Sequence, residues 1–361
     1  MKKIKWTISI EVVFFLCRSR PNKSVVAAVV FFQFQKGNIT MESYSEIVLV
    51  ERKSHMKTIK RNNYEKVMNL NGIDTLSGYI PNKISIEELQ KVKKNVRQCN
   101  YRPTDDRTYL LINPNKIHEK EEKLITSYSE FLKKMDYIIK SLGADPNDLD
   151  IIRADFCFNS RDESTFEDYQ KLHRLIISCL ADTYKFKNCY VSCDLWDYDR
   201  LSIAIKKDDC EIENYNKFKQ SDGTDESANR LELRSKRMSG TSIKYQFMVK
   251  WFERLDKAIE HFEDVQQKAN MHLERLYEDD LMRDKKDRKY VSLTAFLIQY
   301  KESIYTSKQM IDLLSRFDEV ANPQNRAKKF KEQHNIEYFS KRDLEHIVRV
   351  LKQKTLQYFN S

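Results

Sequence analysis

Glycine and proline are scarce in this sequence, with six of each among 361 residues. Loop-rich β-sandwiches need many such residues in their turns, so this scarcity argues against that class and favours helices joined to a compact sheet. The seven cysteines form no Cys-x-x-Cys pair. Cys189 and Cys193 are spaced within the range of zinc ligands, but no second Cys or His pair accompanies them. We therefore predict reduced thiols in a cytoplasmic protein rather than a zinc site.

Long hydrophobic runs are also missing, and the first 40 residues show this most clearly. Their two apolar runs, at 12–17 and 25–32, are much shorter than a membrane span. Glu11 interrupts the first apolar region and no signal-peptide cleavage site follows. We predict that residues 1–40 are a poorly structured leader ahead of a natural start at Met41 or Met56, with a membrane anchor as the alternative.

The same leader accounts for most of the positive net charge of the chain. Seven cations and one glutamate in residues 1–40 contribute +6 of the formal net charge of +10. The rest of the chain is therefore only slightly basic, and its net charge is weak evidence for an anionic partner such as nucleic acid.

The hydrophobic pattern of residues 41–288 predicts an α+β domain with one antiparallel sheet and helices on one face. We expect turns at NGID (71–74) and SGYIPN (77–82) and a helix C-cap at Gly143. Strands are predicted at 107–114, 150–159, 189–196, 200–207, 210–218 and 229–236, and helices at 84–96, 116–143, 165–184 and along 242–288.

Residues 289–361 are predicted to form a separate, small helical domain. Its short helices, which begin near Thr306 and Ser340, are compatible with a helix-turn-helix or winged-helix fold that binds DNA. Many small helical domains have the same pattern, so an unrelated helical domain is the alternative.

Two of the predicted strands have a charged face. Alternate residues of a strand point to the same side, which places Arg153 with Asp155 in one strand and Arg230 with Glu232 and Arg234 in another. The opposite sides are apolar and suit the helices. A face with both carboxylates and guanidinium groups must be solvated, paired or functional.

A third strand places Glu213, Tyr215 and Lys217 on one face. If the three strands are neighbours, a phenol lies in one layer with carboxylates that could hold Mg²⁺ or Mn²⁺ and with cations that attract phosphate. Nearby positive charge would make the phenolate less costly, and the tyrosine could then attack a phosphodiester. The alternative is that Tyr215 is an ordinary half-buried tyrosine, one of 19 in the chain.

Other candidate residues are weaker. Tyr245 is predicted to pack against an apolar helix, and Tyr277 to lie on a solvated helix face among acidic residues. We assign no catalytic role to His173, His261 or His272, which are predicted to be surface or satisfied helical residues.

Four segments resemble, in order, motifs of the Rep_trans-type family, the initiators of rolling-circle plasmid replication. They are INPNK (112–116), RADFCFN (153–159), YNK (215–217) and RLELRSK (230–236), and the resemblance covers roughly residues 105–250. It implies that 41–288 is a DNA nicking and joining domain in which Tyr215 attacks DNA, with Asp155 and Glu232 as ligands of Mg²⁺ or Mn²⁺. The DNA-binding residues would be Arg153, Lys217, Arg230 and Arg234.

The implied reaction leaves a covalent 5′-phosphotyrosine and a 3′-OH that primes replication. Its implied partners are plasmid-origin DNA, as a single-stranded or cruciform loop, a host helicase and a second copy of the chain. The strand before INPNK reads YLL where relatives often carry an acid, and the absence of a His-hydrophobe-His pair excludes the histidine-based nickases. The alternative function is a non-cutting, sequence-specific DNA-binding initiator or regulator.

Overall fold

The computed structural model describes residues 7–20, 23–36, 39–51, 63–118, 121–161, 164–183, 190–191, 202–217, 229–334 and 336–361. The N-terminal part is a unit of its own, in which β1 (Thr7–Arg20), β2 (Lys23–Lys36) and β3 (Ile39–Glu51) pair antiparallel. The sequence predicted a poorly structured leader up to residue 40, whereas the structure pairs its Val- and Phe-rich runs, which favour extended backbone, as strands. That this segment lies outside the natural protein stays a prediction.

Residues 61–361 form the second compact unit, built on one antiparallel sheet of eight strands. The strands are β4 (Leu70–Pro81), β5 (Val96–Arg102), β6 (Arg107–Ile112), β7 (Asp150–Ser160), β8 (Tyr190–Val191), β9 (Ser202–Lys206), β10 (Cys210–Tyr215) and β11 (Asn229–Lys236). Their order in the sheet is β5-β6-β4-β7-β11-β10-β9-β8. The predicted α+β class is confirmed.

The helices of this unit alternate with the strands and then fill the C-terminal third of the chain. They are α1 (Tyr64–Val67), α2 (Ile86–Val92), α3 (Tyr128–Ser141), α4 (Ser164–Thr183), α5 (Ile243–Tyr245), α6 (Trp251–Glu260), α7 (Phe262–Leu281), α8 (Leu293–Gln299), α9 (Ser307–Leu314), α10 (Pro323–His334) and α11 (Lys341–Phe359). A π-helical turn, Gln246–Lys250, joins α5 to α6. None of the helices in the described ranges has the length and hydrophobicity that crossing a membrane requires.

Apolar side chains of the central strands face the helices. The ring of Phe156, on β7, lies 5.4 Å from that of Phe247 and 5.2 Å from that of Tyr358 on α11, measured between centroids. On β11, the Ser235 hydroxyl accepts a hydrogen bond of 2.9 Å from the Trp251 indole on α6. Because side chains alternate along a strand, the intervening charged residues lie on the other face.

Two local predictions were wrong. NGID and residues 77–81 of SGYIPN lie within β4 rather than in turns, because their glycines allow close backbone approach: a Cβ on Gly72 would lie 2.3 Å from the carbonyl oxygen of Ile125. Asn82 follows the strand in a bend, with a φ of 67°. The predicted helix 116–143 begins only at Tyr128, because Asn115 holds the preceding segment by accepting a hydrogen bond from the Ile125 amide at 2.9 Å. The C-cap at Gly143 is confirmed by its φ of 75°.

The C-terminal helices do not separate from the sheet at residue 288. Helix α7 shares a hydrophobic core with α8, α9 and α10 that includes Leu273, Phe296 and Phe330. Helix α11 instead packs on the sheet through Tyr358 and Phe359, which contact Phe156. Sequence patterns located these helices, but the tertiary contacts of α11 join residues 289–361 to the rest of the unit.

Candidate active site

The three strands that carry the predicted site residues are neighbours in the sheet. β11 lies between β7 and β10, with Arg234 opposite Asp155 on one side, and Glu232 opposite Glu213 and Tyr215 opposite Arg230 on the other. The predicted layer of one phenol, several carboxylates and several cations is therefore present. Its central members are almost fully buried: the exposed fraction is 2% for Asp155, 3% for Glu232 and 6% for Tyr215.

Arg234 is the central cation of this layer. Its guanidinium contacts Glu211 Oε1 at 2.5 Å, lies 3.2 Å from Asp155 Oδ1 and contacts Glu232 Oε1. Glu213 Oε2 is 3.7 Å away. Like charges directly opposite each other destabilise a sheet, and Arg234 offsets the repulsion between the facing Glu213 and Glu232.

Tyr215 donates a hydrogen bond of 2.9 Å from its hydroxyl to Glu232 Oε2. Burial, followed by the negative charge of Glu232, raises the pKa of Tyr215 well above its usual value of 10, although Arg230 opposes this shift. The Lys217 ammonium lies 5.9 Å from the centre of the Tyr215 ring. In this arrangement Tyr215 is a neutral phenol whose proton points at a carboxylate.

Arg230 is held by a residue that the sequence interpretation missed. Its Nη1 donates to Asp74 Oδ1 at 2.8 Å and its Nε to Asn159 Oδ1 at 2.9 Å. Asp74 belongs to NGID, which we had interpreted as a turn. The side-chain amide of Asn115, in the INPNK segment, donates to the backbone carbonyls of Ile73 and Asp74 at 3.0 and 3.1 Å. The available signal was a lone acid in an otherwise uncharged run, residues 70–81.

The carboxylates of the layer have divergent pKa values. Burial, reinforced by Glu232, raises the pKa of Asp155 to about 6 in spite of its hydrogen bonds from Arg153. Burial is also the largest single effect on Asp74, but the charges of Arg230, Lys217 and Arg97, with a hydrogen bond from Thr75, together outweigh it and lower the pKa of Asp74 to about 2. Burial and Glu232 raise the pKa of Glu213. Carboxyl groups with such different proton affinities can accept and hold protons in one layer.

The predicted metal ligands do not fit a cation in this arrangement. Asp155 and Glu232 both contact the guanidinium of Arg234, which occupies the position between them. Mg²⁺ or Mn²⁺ would have to displace Arg234 to bind both carboxylates. In the part of the chain that the structure describes, the one group of three donors close enough to share an ion lies elsewhere, at Asp182, His261 and Asp264.

The predicted DNA-binding cations are engaged with carboxylates or rings of the protein. Arg153 donates to both oxygens of Asp155, at 2.9 and 2.5 Å, and its side chain is 32% exposed. Arg230 is 2% exposed and is held by Asp74 and Asn159. Phosphate contacts by these side chains stay predictions. Each cation would have to give up a contact within the protein in order to bind a phosphate.

The competing tyrosines lie outside this layer, and both predictions about their surroundings were wrong. Tyr245 is 47% exposed rather than packed. Tyr277 is buried in the C-terminal hydrophobic core and donates to Glu319 at 3.0 Å, because α7 turns this side toward α8. His173 is buried, and its Nε2 lies 2.8 Å from the Tyr64 hydroxyl.

Comparisons with known proteins identify no family for this chain. No family model matches the chain, and no curated protein or solved structure matches it.

Proposed function

We propose that this protein initiates rolling-circle plasmid replication by nicking and rejoining origin DNA through Tyr215. The observation that supports this best is the hydrogen bond from the Tyr215 hydroxyl to Glu232, within a layer that also holds Arg230, Arg234 and Lys217. A phenol beside a carboxylate has a proton acceptor, and surrounding cations suit the charge of a phosphodiester. The four motifs that resemble the Rep_trans-type family supply the substrate class.

The reaction is a transesterification that needs no external energy source. Tyr215 Oη bonds to phosphorus, the bond from phosphorus to the 3′ oxygen breaks, and the phenol proton passes to Glu232. The leaving 3′ oxygen takes up a proton and becomes the free 3′-OH primer. Rejoining is the reverse reaction, in which a 3′-OH attacks the phosphotyrosine and restores the phenol.

The buried state of Tyr215 sets a requirement on this reaction. A phenol that is 6% exposed and has a raised pKa does not attack DNA as it stands. DNA entry must uncover the end of β10 and bring phosphate next to the cations, and its negative charge competes with Asp74 and Glu232 for them. We therefore expect nicking to require a specific origin structure rather than any DNA.

The decisive experiment incubates the full chain with a supercoiled plasmid that carries its own replicon. It compares wild type, Tyr215→Phe and the matched control Tyr245→Phe, with Mg²⁺, with Mn²⁺ and with chelator. We expect nicking with a protein-linked 5′ end in wild type and the control, and neither product in Tyr215→Phe. Nicking by Tyr215→Phe would refute the assignment. The chelator arm tests the predicted metal dependence separately.

A second candidate is a non-cutting DNA-binding initiator or regulator. The observation in its favour is the buried, neutral state of Tyr215, together with the exposed Lys328 and Lys329 on α10. The described residues of 289–361 contain no strand, and therefore no β-wing of a winged-helix fold. Any DNA binding by these residues would have to use helices without a wing. Specific origin binding by wild type without nicking under every metal condition would favour this function.

A further inference from the structure

Three potential metal ligands converge where α4 meets the junction of α6 and α7. Asp182 lies in the last turn of α4, His261 joins α6 to α7, and Asp264 lies in the first turn of α7. The Nδ1 atom of His261 is 2.9 Å from Asp182 Oδ2 and 3.5 Å from Asp264 Oδ2. One donor atom from each residue lies within 4.8 Å of the other two. The cluster is separate from the layer around Tyr215.

Hydrogen bonding alone does not account for this convergence. An imidazole Nδ1 carries at most one proton and can donate to only one carboxylate. The distance of 3.5 Å to Asp264 is beyond an ordinary N–H···O bond. Asp264 is also at the third position of α7, where an acid often caps the helix, but the N-cap residue His261 has no side-chain cap bond. Its carboxylate is directed at the imidazole instead.

We propose that Asp182, His261 and Asp264 bind a divalent transition-metal ion, with Zn²⁺ as the best match. Three protein ligands plus water is a common zinc arrangement, and bonds of about 2.0–2.2 Å at tetrahedral angles separate neighbouring donors by roughly 3.3–3.6 Å. The separations of His261 Nδ1 from Asp182 Oδ2 and Asp264 Oδ2, 2.9 and 3.5 Å, are close to that range. An imidazole ligand favours zinc over Mg²⁺, which prefers oxygen.

Neighbouring groups prepare the ligands for an ion. Lys268 contacts the other oxygen of Asp182, Oδ1, and so leaves Oδ2 directed at His261. Such outer partners orient metal ligands. The side chains of His261 and Asp264 are 29% and 60% exposed, so an ion and a water ligand can reach the site.

A bound ion would connect α4, which packs on the sheet, with α7, which belongs to the C-terminal core. The sequence alone did not reveal this site, because Asp182 is 79 positions from His261. The local signal was only a histidine followed by an acid three residues later. The inferred role is a structural clamp, and it does not depend on the reaction proposed for Tyr215.

The test titrates the chelator-treated full chain with Zn²⁺ alone and, separately, with Co²⁺. It compares wild type, His261→Gln, Asp264→Asn and the matched control Asp279→Asn, whose side chain lies on the same helix and is 56% exposed. We expect wild type and the control to bind one more Zn²⁺ per chain than the two site variants, and to show the visible bands of tetrahedral Co²⁺. Thermal unfolding should shift upward with Zn²⁺ only in wild type and the control.

Equal zinc stoichiometry and affinity in all four proteins would overturn the proposal. Asp264 is exposed, so Asp264→Asn keeps the test informative even if His261→Gln fails to fold. Zinc bound by cysteines elsewhere would remain in both site variants and would not produce the expected difference. A Lys268→Met variant should retain the site with at least about tenfold weaker affinity, since it loses only the outer contact.

Discussion

Replacing Arg234 with methionine should strongly destabilise the fold at neutral pH. Methionine keeps much of the side-chain volume but removes the cation that contacts Asp155, Glu211 and Glu232. Those carboxylates are 2–3% exposed and would lose the central charge between them. Removing one partner of a buried ion pair costs about 3–5 kcal/mol, a large part of the 5–15 kcal/mol that is typical for a folded protein.

The stability lost on Arg234→Met should depend on pH. Arg234 lowers the pKa of Glu211, against the effect of burial, so wild type gains stability above the unfolded pKa and loses it as pH falls. Without Arg234, the pKa of Asp155, which burial already raises, rises further, and Glu211 loses the strongest of the charges that lower its pKa, so the variant regains stability as these groups take up protons. The difference between wild type and variant should therefore shrink from pH 7 to pH 5.

Urea unfolding followed by tryptophan fluorescence and circular dichroism measures this difference, provided that the two transitions coincide. Lys236→Met is the control, because Lys236 also contacts Glu211, at 2.8 Å, but its side chain is 28% exposed. We expect the control to lose no more than about 1 kcal/mol. A loss below about 1 kcal/mol for Arg234→Met at pH 7, or one that does not change with pH, would refute the central role of Arg234.

Two further substitutions test other parts of the site and the sheet. Asp74→Asn should cost about 2 kcal/mol at pH 7, because the charges of Arg230, Lys217 and Arg97 together lower the pKa of Asp74 from 3.8 to about 2 despite burial. That cost should fall as pH decreases from 4 to 2 in urea unfolding, and equal stability at pH 7 would contradict the pairing. Gly72→Ala should cost about 1–3 kcal/mol, because its Cβ would lie 2.3 Å from the Ile125 carbonyl. An unchanged unfolding midpoint would show that β4 can shift there.

The sheet could be predicted from sequence where alternation was strong. β7 and β11 alternate apolar and charged residues, so their bounds and the two faces of the sheet followed from a period of two. β4 was not recognised, because Gly72 and Gly78 resemble turn residues unless the carbonyls packed against them are known. The start of α3 failed for a similar reason: the side chain of Asn115 accepts a hydrogen bond from the Ile125 amide and donates to the β4 carbonyls of Ile73 and Asp74, and these contacts override a helical pattern in residues 116–127.

The candidate site was predictable as a set of residues but not as a set of contacts. Alternation placed Tyr215 and Glu232 in one layer, and their hydrogen bond agrees with that placement. Alternation could not show that Arg234 would lie between Asp155 and Glu232, because it gives the face of a residue and not its partner. The pairing of Asp74 with Arg230 spans 156 positions and left no local signal.

The position of α11 makes completion of the sheet's hydrophobic core depend on residues far along the chain. The side chain of Asn71, on β4, donates to the backbone carbonyl of Lys354 at 3.0 Å across 283 positions, and Phe156 packs on Phe359. Such distant contacts slow folding, because a long loop must close before they form. During translation, the strands that carry Asp155 and Tyr215 are made before α11, so their hydrophobic core would stay incomplete until α11 packs on it. A chain in which α11 has not yet been made would therefore lack the packing that supports the strands of the layer around Tyr215.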